Sequence, residues 1–244
     1  MRRLVLSLAL LAAASAEAQP VFRVTIPLGP SASREPVRLD TRAALEAGAV
    51  ALTGVGHLVA SRAGASDVFI PAVVVGWGGY VGWRASTEPG FLRDLGLSGQ
   101  NLGRAARDVA LLSGGAVVGM AAYGVANGSF RIDGTLVPLL VLYPAWGLTQ
   151  QALVQGFVTR HLDAAGLPAV AVVPASAVAF GAVHVPNWPL TAATTAMGGA
   201  FAPLYLRDRT VWPLGVAHGA LGALFYVWVL DRDPWAETFG DETE

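Results

Sequence analysis

The sequence predicts an all-α fold, a polytopic transmembrane helix bundle of about six to seven spans after an N-terminal signal peptide. Three observations lead there. Apolar residues make up 54% of the 244 residues and charged residues only 14%, against about 25% charged in a soluble globule. The apolar residues fall into blocks of about 18–22, the length that crosses a hydrocarbon core of roughly 30 Å. The chain also holds 29 Gly, and small residues let membrane helices approach closely.

Residues 1–18 read as the secretory signal peptide. Arg2 and Arg3 start it, Leu4 to Ala14 is its short apolar core, and Ala16-Glu17-Ala18 is a small-x-small cleavage site. Residues 19–43 form an exported polar tail with four Arg and four Pro. Within it, Val21 to Leu28 alternates weakly and reads as one short strand. Seven apolar blocks follow, near 44–61, 66–83, 106–126, 134–156, 167–185, 190–206 and 211–230. They divide into N-terminal membrane helices (44–133) and a membrane core (134–230), followed by an acidic tail (231–244). Residues 84–105 are the longest internal connection, with the turn pair Pro89-Gly90.

Seven spans would put loops 84–107, 157–166 and 207–210 on one side with seven Arg, against three on the other. The positive-inside tendency makes the richer side cytoplasmic, yet the same arrangement leaves the exported tail there. The block 44–61, which carries Glu46 and His57, is the weakest and is expected to lie along the interface or to enter only partly. The expected location is a multi-pass cell-membrane protein of the bacterial inner membrane, with the lipid bilayer as its surroundings.

Composition excludes several chemistries. There is no cysteine, so disulfides and thiolate chemistry are absent. Every fixed cation is Arg, net charge is −1, and no basic stripe carries interleaved aromatics, so nucleic acid is not an expected partner.

Polar side chains deep in lipid are costly and each calls for a partner. Gln150, Gln151 and Gln155 cluster in the fourth block. Gln151 and Gln155 are four apart and share a helix face, while Gln150 points about 100° away. Pro144 should kink the helix just before them. Phe180 and His184 share a face at the end of the fifth block. Pro186 biases Val185 away from helix, which puts His184 in the last helical turn. Asn187 lies beyond and could cap the next helix or bond the imidazole. His218 sits near the middle of the seventh block. One reading of these groups is helix–helix glue, worth about 0.6 kcal/mol per bond on average. The other is a shared polar pocket that binds a metal or hydrogen-bonds a substrate carbonyl. His57 and His161 read as structural or interfacial. The pairs Gly78/Gly82, Gly115/Gly119 and Gly215/Gly219 read as close-packing signals.

Together these residues resemble the CPBP family, the CAAX protease and bacteriocin-processing (Abi) intramembrane endopeptidases, over about residues 134–230. The family's Glu-Glu pair followed after three residues by Arg, often then Gly, matches Gln150-Gln151-Ala152-Leu153-Val154-Gln155-Gly156. Its Phe, three residues, His motif matches Phe180 to His184, with Asn187 three residues on. Its His, three residues, Asn or Asp motif matches His218, with Gly222 at the last position. The resemblance implies an all-helical core and a hydrolase acting on a membrane-embedded peptide or lipidated substrate. It assigns the catalytic positions to Gln150, Gln151, His184 and His218 and the pocket to Gln155, Asn187 and Phe180. Some descriptions of the family make such residues metal ligands, so His184 and His218 could hold a divalent metal; the sequence itself requires no cofactor.

The departures bear on catalysis. An amide has no titratable acceptor near neutral pH and cannot serve as general base. A missing oxyanion donor, as at Gly222, costs about 2.7–4 kcal/mol in acyl transfer. The function that follows is a diverged CPBP-type protease using a histidine base. The alternative is an inactive relative that binds a membrane peptide or lipidated partner. A small transporter is a third reading, against which stand the lack of an inverted repeat and of a buried acid for ion coupling.

Overall fold

In the computed structural model, the described residues are 22–24, 37–134 and 136–234. The signal peptide at 1–18, most of the 19–36 tail and residues 235–244 of the acidic tail lie outside them. Among the described residues, eight helices follow a short β hairpin. The helices are α1 (Thr41–Arg62), α2 (Ser66–Thr87), α3 (Phe91–Leu95), α4 (Leu102–Asn127), α5 (Leu136–Ala164), α6 (Ala169–Ala182), α7 (Trp188–Asp208) and α8 (Trp212–Val229). Every apolar block is a helix, and α3 forms inside the 84–105 connection. Four helices, α1, α4, α5 and α8, are long and apolar enough to cross a membrane. Of the expected strand Val21–Leu28 the described residues are β1 (Phe22–Val24), which pairs antiparallel with β2 (Val37–Leu39), Phe22 opposite Leu39.

The outer surface is apolar. Val75 (74% exposed), Leu111 (73%), Val118 (70%) and Val170 (81%) all face outward. A water-soluble globule buries such side chains, whereas a lipid-solvated bundle has no reason to. The protein is therefore a multi-pass membrane protein built as a helical bundle.

Successive long helices alternate in direction. At one end the start of α1 meets the ends of α2 and α5, through Arg42 with Glu88 (3.4 Å) and His161 with Glu46 (2.5 Å). At that same end Arg104 of α4 pairs with Asp208 of α7 (2.5 Å), and Arg209 pairs with Asp163 (2.5 Å). At the opposite end the Ser129 hydroxyl donates to the Trp228 carbonyl (2.6 Å), and Arg131 pairs with Asp231.

The block 44–61, expected to lie along the interface or to enter only partly, is a 22-residue helix long and apolar enough to cross a membrane, and its Glu46 turns inward, 4% exposed and bonded on both oxygens.

Two close helix crossings organise the core. α5 and α8 meet where Gly147 faces Gly215 and Gly219. A Cβ on Gly147 would lie 2.5 Å from the Gly215 carbonyl oxygen, and one on Gly219 would collide with the Pro144 backbone. α6 and α7 meet where Gly181 faces Thr191 and Thr195, and Gly198 faces Ala177. The other two small-residue pairs differ from expectation. Gly78, Gly82, Gly115 and Gly119 have open space beside them. They lie on α2 and α4, whose outer faces are not packed against another helix. α8 is central, with 44% of its apolar window buried against 11% for α4.

Candidate functional site

The site forms where α5, α6 and α8 face one another. α5 is regular from Leu136 to Gln151 and then widens into a π-helical stretch, Ala152–Thr159, before its last turn, Arg160–Ala164. Such π segments often mark functional positions, because one extra residue per turn re-aims the side chains that follow. Here the widening begins just past Gln151, not at Pro144, and it separates the two buried amides. Gln151 and Gln155 are both fully buried. Gln151 reaches α8, its side-chain nitrogen 3.3 Å from His218 Nδ1. Gln155 reaches the α6 side instead: its Oε1 accepts from the Thr159 hydroxyl (2.9 Å), and Thr159 lies 2.8 Å from the Ser176 hydroxyl of α6. Gln150 is only partly buried and falls outside this interior.

Phe180 ties the two histidines together. Its buried ring stands edge-on to His218, centroids 5.0 Å apart at 86°, and to His184, 5.6 Å apart at 87°. His184 does not sit in the last helical turn as expected. α6 ends at Ala182, and His184 lies in the turn that follows, its backbone N–H bonded to Gly181 (3.0 Å). The helix thus ends two residues short of His184, where the sequence reading had placed it within the last turn. Asn187 resolves to one of its two expected roles: its side-chain oxygen accepts from the Leu190 N–H (3.2 Å) and caps α7.

The hydrogen bonds fix the protonation of His184. Its Nδ1 lies 3.0 Å from the Phe180 carbonyl and 3.2 Å from the Thr194 hydroxyl, which itself donates to the Leu190 carbonyl (2.7 Å). Both neighbours are acceptors, so Nδ1 carries the hydrogen and Nε2 keeps the lone pair. His218 is held on two sides, by the Gln151 amide, whose nitrogen lies 3.3 Å from Nδ1, and by a hydrogen bond to the Gly147 backbone. The Gln151 carbonyl oxygen and the Gln155 amide nitrogen are buried without a partner among the described residues, and each is a group that a ligand could satisfy.

The metal reading fits poorly. A closed zinc shell takes four ligands from Cys, His and carboxylate, and catalytic sites keep three. Among the described residues no three His, Asp or Glu side chains gather as such a set, and the group beside His218 is an amide.

Sequence reading missed three contributors. Thr194 and Ser176 hold His184 and the Gln155–Thr159 pair; a hydroxyl in an apolar helix bonded to its own i−4 carbonyl gives no outward signal of a tertiary role. His57 of α1 is the third. Its Nδ1 is buried without a partner among the described residues, its ring packs on Phe69 (6.3 Å), and its helix approaches the turn carrying His184. A residue one turn earlier on α1 explains the approach: a Cβ on Gly54 would lie 2.6 Å from the Val183 side chain.

Residues 132–224 match the family model of the Type II CAAX prenyl endopeptidase Rce1-like proteins. The matched stretch runs from just before α5 into α8 and contains Gln150, Gln151, Gln155, Phe180, His184, Asn187, His218 and Gly222. No curated protein and no solved structure matches the chain.

Proposed function

We propose, from the Rce1-like match of residues 132–224, that this CPBP-type membrane protein receives a membrane-embedded or lipidated peptide at the α5–α6–α8 site and no longer hydrolyses it by the family's carboxylate mechanism. The observation that carries the reading is Gln151, fully buried and bonded to His218 where the family has a glutamate. A water activated there would need a base, and an amide is not one. The His218 ring is already engaged by Gln151 and the Gly147 backbone, and Gly222 brings no donor to an oxyanion. What remains is suited to binding. A peptide or thioether-linked lipid segment entering from the bilayer would meet Phe180, the Nε2 lone pair of His184, and the unpartnered oxygen of Gln151. A peptide N–H satisfies either of those acceptors, and a peptide carbonyl the free amide N–H of Gln155.

A second reading has one observation in its favour. His184 has its proton at Nδ1, held by Phe180 and Thr194, and a free Nε2. That is the tautomer of an imidazole general base. In this reading His184 activates water without a carboxylate.

One assay separates them. Purified protein in lipid nanodiscs is mixed with a fluorescent farnesylated peptide, and both retention and cleavage are followed from pH 5 to pH 9. The binding reading expects saturable retention, weakened about tenfold or more by His184→Ala, with no new fragment. Fragments that vanish with His184→Ala would establish the second reading. Absence of both retention and fragments would remove the pocket as a peptide site.

A further inference from the structure

A second polar centre lies away from the α5–α6–α8 site, at the arginine-rich end of the bundle. Glu46 of α1 is 4% exposed and bonded on both oxygens. Oε1 accepts from Tyr80 (2.5 Å) and Arg84, and Oε2 pairs with His161 Nε2 (2.5 Å). Glu88 accepts two bonds from Arg84, at 2.6 and 3.1 Å, and one from Arg42 at 3.4 Å. These groups line a cavity of about 230 Å³, together with Arg160 and, at its edge, Asp40. A water occupies about 30 Å³ in the liquid, so the space holds a small polyatomic ion with waters.

Donors and acceptors in this cavity do not balance. The buried carboxylate is committed on both oxygens, those of Glu46, while the partly exposed Glu88 takes Arg84 and Arg42 on Oε2 alone and the exposed Asp40 takes the Arg42 backbone N–H on Oδ1 (3.3 Å), each keeping its other oxygen at the open rim. The guanidinium donors are not all committed. Arg160 spends its Nε on the Gly156 carbonyl (2.9 Å), and its nearest carboxylate oxygen, on Glu46, is 3.8 Å from Nη2. That exceeds hydrogen-bond range, so both terminal nitrogens of Arg160 lack a hydrogen bond among the described residues. Arg42 makes one long bond. A planar guanidinium with spare N–H groups at the wall of a polar cavity is matched by a tetrahedral or planar oxyanion, which supplies acceptors only. The position fits as well. The cavity sits at the end of α1, α2 and α5, where a spanning helix leaves the hydrocarbon and meets headgroups.

We propose that this cavity binds a phosphate-type oxyanion through Arg160 and Arg42, with Glu46 and His161 holding the floor. The same chemistry belongs to an anionic lipid headgroup and to free phosphate, and a measurement distinguishes them. The full-length protein in detergent is examined by native mass spectrometry with added phosphatidylglycerol or phosphatidylcholine, and by thermal unfolding with inorganic phosphate. The wild type is expected to retain one phosphatidylglycerol in preference to phosphatidylcholine, with about tenfold or greater loss of retention in Arg160→Gln and Arg42→Gln, the change that about 1.4 kcal/mol produces. Arg42→Gln is the safer variant, because that side chain is 48% exposed and its one ion pair is long. Phosphatidylglycerol retention without a phosphate-induced rise in unfolding temperature identifies a headgroup site. A rise with phosphate that both variants abolish identifies a soluble oxyanion. Equal behaviour of the wild type and Arg42→Gln toward both ligands, or no retention and no rise in the wild type, overturns the proposal.

Discussion

Gln151 and His218 are bonded to one another across the close crossing of α5 and α8, side-chain nitrogen to Nδ1 at 3.3 Å. The crossing is tight because Gly147, Gly215 and Gly219 remove the side chains between α5 and α8. One geometric device therefore both packs the core and brings an amide to an imidazole. Replacing Gln151 with Glu should convert that bond to a carboxylate–imidazole pair without changing its shape.

The first prediction concerns that exchange. Gln150→Glu with Gln151→Glu returns the two carboxylates, and Gly222→Asn returns the third-motif donor. Gly222 has room for it: an added Cβ would meet only the Tyr143 ring, at 3.8 Å. The triple variant should remain folded and cleave a farnesylated peptide that, on the proposed reading, the wild type is expected to retain uncut. A missing oxyanion donor alone accounts for about 10²–10³ in rate, so the double Glu variant should cleave more slowly than the triple one by about that factor. A folded triple variant with no product would count against an Rce1-like active geometry at these positions.

The second prediction concerns the crossing. Gly219→Leu forces a side chain into the Pro144 backbone, and overpacking of this kind costs about 1–3 kcal/mol. The unfolding temperature in detergent should fall, and the peptide should be lost with it because Gln151 and His218 separate. Gly119→Leu is the control, since its surroundings are open. Equal destabilisation by both would mean that α5 and α8 do not meet as described.

The sequence disclosed the helices because oil leaves a coarse record: an apolar run of the right length has few other structures available. Gln151, Phe180, His184 and His218 were legible as a group for a related reason, since each would be poorly satisfied alone. What followed from local geometry was not legible. The π-helical stretch after Gln151 changes where Gln155 points, and no residue at 152–159 announces it. The glycine pairs shared one spacing, yet only Gly215/Gly219 is packed, because spacing reports a face and not the neighbour across it. Glu46 counted as a defect in its helix, since its partners Arg84 and His161 are 38 and 115 residues away.

The third prediction addresses Phe180. Its ring is 1% exposed and contacts both imidazoles. Phe180→Ala should cost about 3–5 kcal/mol as a buried aromatic truncation. Phe180→Leu keeps most of the volume and should cost under about 1.5 kcal/mol, yet it removes the edge-on surface that orients His184 and His218. Peptide retention should therefore drop in the Leu variant while the unfolding temperature barely moves. Full retention in Phe180→Leu would reduce the ring to filler.

The last prediction concerns Glu46 and Arg84. Both side chains are almost wholly buried, 4% and 5% exposed, and they pair directly. Removing one partner from a buried pair leaves an uncompensated charge, at a cost of about 3–5 kcal/mol. Glu46→Ala and Arg84→Ala should each lower stability by that order, and Glu46→Ala should also free His161 and Tyr80. The double variant leaves neither charge behind, so it should be less destabilised than the sum of the singles, with a coupling of about 0.5–3 kcal/mol. Unfolding of all three variants in detergent at one pH gives the cycle. Strict additivity would show that Arg84 is satisfied by Glu88 alone, and that the α1–α2–α5 junction is held by packing such as Trp77 on Phe157 (5.1 Å), not by charge.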